Sequence, residues 1–391
     1  MEITLFHDRM KSITNEKLEL LLKFMETEKL DLIMITDSEQ SRDLNFQYIC
    51  GHPTDGILFI TAGGETTLIP WDTALAKTEA DVDRILDHTQ YEYSTIKTSR
   101  DYFENILKKP NASIGVSRGM LYGEIIRFET MFPELKFTKE PSKISRLFEE
   151  LRATKSNHEM DLLMEATKIA EDTLQDIIHF AKNATTESEQ DLSFLVQTKM
   201  AKRGAEDLAF PSLVANTNRS HTLHCHPYAT ESQFALPGLA LIDFGAKYKG
   251  YNSDITQSFT FGDINQEQQR MRDITQKAYD AAVETMEIGI PLWKINKASM
   301  DVLTEAGFSM PYALGHGLGL SEHDAPFISK KPTDDFQKKY WKEVLLEEGH
   351  VFTIEPGTYK EDFGGLRIEN DFMVRNGKII QLTHTGIYPI E

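Results

Sequence analysis

Four acidic residues and one histidine stand where a charged or coordinating group is least expected. Asp243 closes the apolar run LALID, and Asp254 follows eleven residues later in GYNSDIT. Glu355 closes VFTIE immediately before Pro356 and Gly357, and Glu369 follows fourteen residues on in LRIEND, close to Arg367. His316 lies between Gly315 and Gly317 in GHGLGL. A carboxylate at the end of a buried strand is costly unless it is paired or coordinated. Four carboxylates meeting in one cavity would repel one another, and most would be protonated without a counter-charge. Two divalent cations set four positive charges against four negative ones and remove that difficulty. A shell of carboxylate oxygens with one imidazole suits Mn, Co, Fe or Zn, and geometry does not choose among them. Two such ions about 3.5–4 Å apart can share a water and lower its pKa toward about 7, which makes hydroxide available at neutral pH. Each piece alone has a plainer reading: a surface hairpin with two acids near its turn, a glutamate paired with an arginine, or a glycine-rich turn with an incidental histidine.

The elements that must position these residues are legible from periodicity. LALIDFGAKYKGYNSDITQSFTF has two β-rich runs around a turn-rich centre, which predicts a hairpin. If Asp243 pairs opposite Asp254 or opposite Thr256, both acids share one face; opposite Ile255, they are split between faces. Pro356-Gly357 must stop the strand that ends at Glu355, because proline cannot donate to a ladder. Glu369 is expected in a second strand. The glycines around His316 permit close backbone approach, and His323, seven residues on, can point into the same cavity. The segment NTNRSHTLHCHPY holds His221, His224 and His226. Its spacing fits a substrate-contacting acid, a surface loop or a mononuclear metal site.

Two patterns of organisation divide the 391 residues. The first third reads as α/β. A helix over roughly 15–28 carries Leu18, Leu21, Leu22 and Met25 on one face, LDLIMIT is a buried strand, GILFITAGGETTLIPW is two strands joined at Gly63-Gly64, and ASIGVS is another strand. From about residue 150 the period becomes helical, with Leu162, Leu163, Ala166, Ile169, Ala170, Leu174 and Ile177 at core spacing. Thr186 followed by Glu189 predicts a capping box for the next helix. The second part repeats in outline: helices at about 157–204 precede strands with Asp243 and Asp254, and helices at about 265–306 precede strands with Glu355 and Glu369.

Composition excludes some classes of function. With 42 basic and 61 acidic residues the formal net charge is -19, the wrong sign for a protein that displaces counterions from nucleic acid or docks on an anionic membrane. No stretch approaches the roughly 18 consecutive apolar residues of a membrane span, and MEITLFHDRMKS has no apolar core of a secretory signal. Cys50 and Cys225 are too few for a disulfide framework, and no CxxC pair is present, so a reducing, cytoplasmic setting is expected.

Taken in order, LIDFG, GYNSDIT, GHGLGL, TIEPG and LRIEND resemble the five-ligand set of the pita-bread metallopeptidases, the prolidase (Xaa-Pro dipeptidase) and aminopeptidase P family. The resemblance covers nearly the whole chain and includes the linker-helix pattern LRATKSNHEMDLL. It implies an α/β (α+β) fold: a small creatinase/prolidase-type N-terminal domain over 1–150, then a pita-bread catalytic domain over 151–391 with a curved antiparallel sheet and a pseudo-twofold repeat. It implies two divalent metal ions, manganese favoured, with Asp243 bidentate on one, His316 and Glu355 on the other, and Asp254 and Glu369 bridging both. The implied activity is hydrolysis of Xaa-Pro bonds at the N-terminus of dipeptides or short peptides by a metal-bridging hydroxide. Glu355 would shuttle a proton to the leaving amine. His323 would contact substrate and tetrahedral intermediate, and Arg367 would steady the metal-site carboxylates or receive the substrate carboxylate. The family's remaining histidine precedes the first aspartate by some 17 residues, which selects His226; the wording of its LHY segment would select His224 instead. A homodimer is expected from the same resemblance. Two departures stand out: Gln257-Ser258 replace the Arg-Thr that commonly follows DIT, and the tail THTGIYPIE departs from the usual ending, which is expected to alter the rim of the pocket. Alternatives on this fold are a hydrolase or lyase of small metabolites and a non-catalytic binding module.

Overall fold

The computed structural model describes residues 13–138, 140–339 and 341–391. The signal-peptide reading of the first twelve residues therefore lies outside the described residues. The chain divides into two compact units, Met1–Leu151 and Arg152–Glu391.

In the first unit a six-stranded mixed sheet runs in the order Arg84–Ile85, Thr66–Pro70, Gly56–Thr61, Leu32–Asp37, Ser113–Val116, Lys136–Phe137. Leu32–Asp37 is buried along its whole length, which explains why LDLIMIT reads as a continuous apolar run. The GILFITAGGETTLIPW hairpin pairs Ile60 with Thr66. The helix Asn15–Glu28 buries Leu21 and Met25 fully and Leu18 and Leu22 partly. Its N-cap is Thr14, whose hydroxyl accepts from the Lys17 N–H, filling one of the four orphan donors of the first turn.

In the second unit each half presents helices first and then sheet. Asn157–Asn183 and Glu189–Lys202 precede a four-stranded sheet in the order Ile387–Ile390, Ile255–Phe261, Gly238–Phe244, Leu213–Ala215. Gln266–Thr285 and Leu292–Glu305 precede a five-stranded sheet in the order Asp324–Ile328, Gly315–Gly317, Val351–Ile354, Asn370–Arg375, Lys378–Gln381. Ile169, Ala170 and Ile177 pack with Val214, Ile242 and Phe259 in one core cluster. Each fully buried aliphatic chain there contributes about 1.5–3 kcal/mol, so a charge at Ile177 would undo the face that supports the Asp243 strand.

Two local expectations shift. The helical pattern that ran through LRATKSNHEM breaks after Ala153, and a new helix starts at Asn157 under a Ser156–Glu159 capping box. The next helix is capped by Ser188 with Asp191, two residues later than the Thr186–Glu189 box. Tertiary contacts explain the second shift. The Glu189 carboxylate, fully buried, turns inward to accept from the Asn216 N–H at 2.9 Å, from the Thr230 N–H at 2.9 Å and from Arg219. Four or more kcal/mol of charge-assisted bonds of this kind, at ~1.5–3 kcal/mol each, outweigh the ~1 kcal/mol of a cap.

Candidate metal centre

The hairpin register decides the first question. Asp243 pairs opposite Thr256, one of the two alignments that put Asp243 and Asp254 on the same face. Asp254 sits one residue before the strand Ile255–Phe261. Gly245 allows the hairpin to close there, since a Cβ on it would lie 1.9 Å from the Ser253 carbonyl oxygen. The glycines around His316 do the same work between strands: a Cβ on Gly315 would meet the Thr353 carbonyl oxygen at 2.0 Å, and one on Gly317 the Ala325 carbonyl oxygen at 2.1 Å. Only glycine lets the His316 backbone be gripped from both sides.

Glu355 follows Val351–Ile354, and its N–H is fixed by the Leu314 carbonyl at 2.9 Å. Glu369 lies not inside a strand but between Gly364–Arg367 and Asn370–Arg375, where an isolated bridge ties it to Thr256. That crossover carries the chain from the short Gly357–Arg367 hairpin into the larger sheet, and it brings Glu369 to the first hairpin's acids.

These residues converge. His316, Glu355 and Glu369 each place one ligand atom within 4.8 Å of the others, and so do Asp243, Asp254 and Glu369. Glu369 belongs to both trios. A third trio, Asp254 with His316 and His323, overlaps the other two. His316 Nε2 is 3.5 Å from both Asp254 Oδ2 and Glu355 Oε1. The cavity encloses about 220 Å³ and is lined by all five.

The electrostatics identify what the site lacks. His316 Nδ1 lies 3.2 Å from the Gly317 carbonyl, which can only accept, so Nδ1 carries the proton and Nε2 presents a lone pair to two carboxylates. Burial first, and then His323, pushes its pKa down to about 3, so the ring is neutral. A lone pair facing two carboxylates is repulsive unless a cation lies among them. Asp243 Oδ1 and Asp254 Oδ1 are buried with no hydrogen-bond partner, which is costly for carboxylate oxygens. Burial, followed by Glu369 and Asp243, holds the Asp254 carboxyl well above its ordinary range. Burial and Glu369 do the same to Glu355. Glu369 is pushed up to about 7 by burial and then by Asp243, with Arg367 opposing. Four carboxylates against the single charge of Arg367 leave three negative charges, and two divalent cations bring the set within one charge of neutrality. The donor set, the orphaned oxygens and the neutral imidazole all fit such a pair.

The other expected residues are placed as follows. His323 is exposed, but its ring meets that of His316 edge-on at 4.4 Å and it lines the cavity. His226 does not line the cavity. Its ring stands against Tyr228 at 5.5 Å, while His224 lines the cavity beside Asp243 and Asp254. Counting residues back from Asp243 selected His226, but this segment consists of turns and bends, where spacing carries no direction; the wording of the segment pointed to His224. Arg367 is buried and all its nitrogens are engaged: Nη2 with Asp243 at 2.5 Å, Nε with Thr256 at 2.8 Å and Nη1 with Tyr359 at 2.9 Å. These bonds tie it to Asp243 and, through Thr256, to Glu369, while two of its five N–H donors are not used by them and it lines the cavity.

Thr256, Tyr359 and Asp371 belong to the site and were not singled out from sequence. The Thr256 hydroxyl donates to Glu369 at 2.6 Å. Asp371 is fully buried, and burial and Glu369 raise its pKa strongly. The signal for Asp371 was present in IENDF, where a second acid follows Glu369 by two residues.

A mixed α/β chain with buried acids and one imidazole around a common point defines a metallohydrolase of this architecture. Residues 161–376 match the model of metallopeptidase family M24, and the chain belongs to that family. It is a metallopeptidase, and its fold is the pita-bread fold that the sequence implied. Similar proteins extend over nearly all of it. The Xaa-Pro dipeptidase of Pyrococcus furiosus is 28% identical over 95% of this chain and 98% of its own length. The crystal structure of the prolidase from Pyrococcus horikoshii OT3 superposes with a TM-score of 0.78 at 27% identity, covering 95% of this chain and 99% of that one. The Xaa-Pro dipeptidase from Bacillus anthracis gives 0.79 at 25% identity, covering 95% and 99%.

Proposed function

We propose that this chain hydrolyses Xaa-Pro bonds at the N-terminus of dipeptides or short peptides, with two divalent cations held by Asp243, Asp254, His316, Glu355 and Glu369. The observation that carries the reading is the pair of trios sharing Glu369, completed by a neutral His316 whose Nε2 faces two carboxylates. His316 and Glu355 would hold one cation and Asp243 the other, with Asp254 and Glu369 available to both. When bound, the pair supplies Lewis acidity toward the scissile carbonyl and a water deprotonated at neutral pH. Glu355 sits on the cavity wall, where it would carry a proton to the leaving proline nitrogen. His224 and His323 donate to the substrate carbonyl as its oxygen gains charge. Arg367 is a positioning residue that fixes Asp243 through a charge-assisted bond. A proline nitrogen has no N–H, so recognition relies on shape; Leu223, Ala313 and Phe327 give the cavity an apolar side for the ring. Manganese is the favoured metal, residues 1–150 and 151–391 are read as the creatinase/prolidase-type and catalytic domains, and a cytoplasmic homodimer is the assembly expected of the chain.

The test is turnover of Ala-Pro, Gly-Pro, an Xaa-Pro-Xaa tripeptide and a small amide panel after chelation and reloading. Expected are loss of turnover on chelation, recovery with Mn(II), and about two ions per chain by elemental analysis. Recovery with one ion, or turnover of the amide panel without any Xaa-Pro cleavage, would overturn the proposal.

A further inference from the structure

A second cavity, of about 440 Å³, lies wholly within the first unit and holds none of the residues of the metal centre. Its size is that of a small-molecule pocket. Trp71 lines it yet is 57% exposed, unusual for the largest apolar side chain. Trp71 is held in an aromatic trio: its ring is 5.2 Å from Tyr93 and 5.5 Å from His88, and His88 and Tyr93 stand 5.8 Å apart. The backbone is strained to build this trio. Glu92 and Tyr93 both take left-handed conformations, with φ of 55° and 56°, which a bulky side chain adopts only when its surroundings impose it.

His88 lines the cavity and is 3% exposed, and neither ring nitrogen makes a well-formed hydrogen bond, the Ser94 backbone lying near the ring without good geometry. Buried polar groups are nearly always satisfied, so an imidazole with no well-formed hydrogen bond on a cavity wall points to a ligand. The charge around it has one sign. Glu39 and Glu124 line the cavity and form no ion pair among the described residues, and Asp37 and Asp55 share the single cation Arg42 at 2.6 and 2.9 Å. No lysine or arginine lines the cavity. An anion is excluded by that field. A metal ion is excluded because, among the described residues, these acids and His88 do not converge to ligand distance. Aromatic faces attract cations through the ring quadrupole, and carboxylates at the rim add to that attraction.

We propose that this cavity binds a small organic ammonium ion, its charged head against Trp71 with Glu39 and Glu124 beside it, and a polar atom of its stem hydrogen-bonded to His88. The site is independent of the metal centre.

Choline and its neutral isostere 3,3-dimethylbutan-1-ol are the probes, titrated by calorimetry into the full-length protein. Choline is expected to bind and the alcohol to bind at least tenfold more weakly, since only the charge differs. Trp71→Ala is expected to weaken choline about tenfold, with an unchanged circular dichroism spectrum. Glu124→Gln keeps the helix-capping acceptor and is expected to weaken choline a few-fold; it gives the same reading if Trp71→Ala does not fold. No choline binding, equal binding of the alcohol, or choline binding that Trp71→Ala or Glu124→Gln leaves unchanged would each overturn the proposal.

Discussion

Replacing Glu369 with glutamine separates what the carboxylate costs the fold from what it does for the metals. Glu369 is 2% exposed, and in the metal-free protein it is pushed from 4.5 to about 7 by burial and then by Asp243. A carboxyl with a raised folded pKa stabilises fully below its unfolded value, and that stability is lost as pH rises through the folded value. Between pH 4.5 and about 7 the native state holds the proton more tightly than the unfolded chain does. At 1.36 kcal/mol for each pH unit this amounts to about 3 kcal/mol. Glutamine carries no charge and still accepts from the Thr256 hydroxyl, now 2.6 Å from the carboxylate. Its neutrality also relieves Asp254, Glu355 and Asp371, all of which Glu369 pushes upward. Urea unfolding of chelator-treated protein, followed by circular dichroism, is therefore expected to find the two proteins alike at pH 5 and Glu369→Gln more stable by about 3 kcal/mol at pH 8. Added Mn(II) is expected to stabilise the wild type alone at pH 8, and Ala-Pro turnover is expected only there. The reasoning is refuted if Glu369→Gln is the less stable protein at pH 8, or if it takes up both ions as the wild type does.

Three further substitutions probe separate parts of the site. His224→Ala is expected to lower kcat for Ala-Pro about 100-fold with both metals retained, while His226→Ala stays within about twofold; the reverse order in steady-state kinetics would restore His226. Arg367→Lys keeps the charge but cannot reach Asp243, Thr256 and Tyr359 together, so metal affinity is expected to fall 10–100-fold, as read by competition with a chelating dye, and full affinity would show the planar fork to be dispensable. Asp324→Asn leaves the Arg152 charge facing a neutral amide across a buried contact of 3.2 Å. It is expected to cost about 3 kcal/mol in urea unfolding and to lower kcat by loosening the adjacent His323, whereas unchanged stability would mean that the pair does not hold that loop.

The five acid and imidazole positions were legible because each is an exception to its surroundings: an acid ending an apolar run, or a histidine between glycines. Their convergence was not, since strand pairing has a parity that the residues around the turn do not fix. Asp243 could face Asp254, Ile255 or Thr256, and the observed partner is Thr256. Glu369 was expected in a strand, flanked by Ile368 and close to Arg367. The chain changes sheets there instead, and no local pattern encodes a crossover whose partner is Thr256, far earlier in the chain. The break at Ser156 was readable from SNHE, but the apolar period on both sides continued through it.

Gln257-Ser258 and the tail, each expected to depart from the family pattern, form one feature. Gln257 is buried, and its side-chain amide pairs with both backbone groups of one tail residue: Nε2 donates to the Gly386 carbonyl at 3.0 Å and Oε1 accepts from the Gly386 N–H at 3.3 Å. An arginine has no acceptor and could not close that pair, so the amide at 257 and the course of the tail require each other. The tail then reaches the metal centre from behind rather than at the rim of the pocket. Thr385 donates to the Glu369 carbonyl at 2.7 Å and bonds Asn370 Oδ1 through its N–H at 2.6 Å, while the Thr383 hydroxyl accepts from the Asp371 N–H at 2.8 Å. Ser258, next to Gln257, binds both the N–H and the carbonyl of Arg367, at 3.0 and 2.8 Å. The backbone from Arg367 to Asp371 is thus held on one side by Ser258 and on the other by the tail that Gln257 anchors. A crossover held by an isolated bridge to Thr256 needs that grip to keep the shared acid in register, and here it comes from Ser258, Gln257 and the tail.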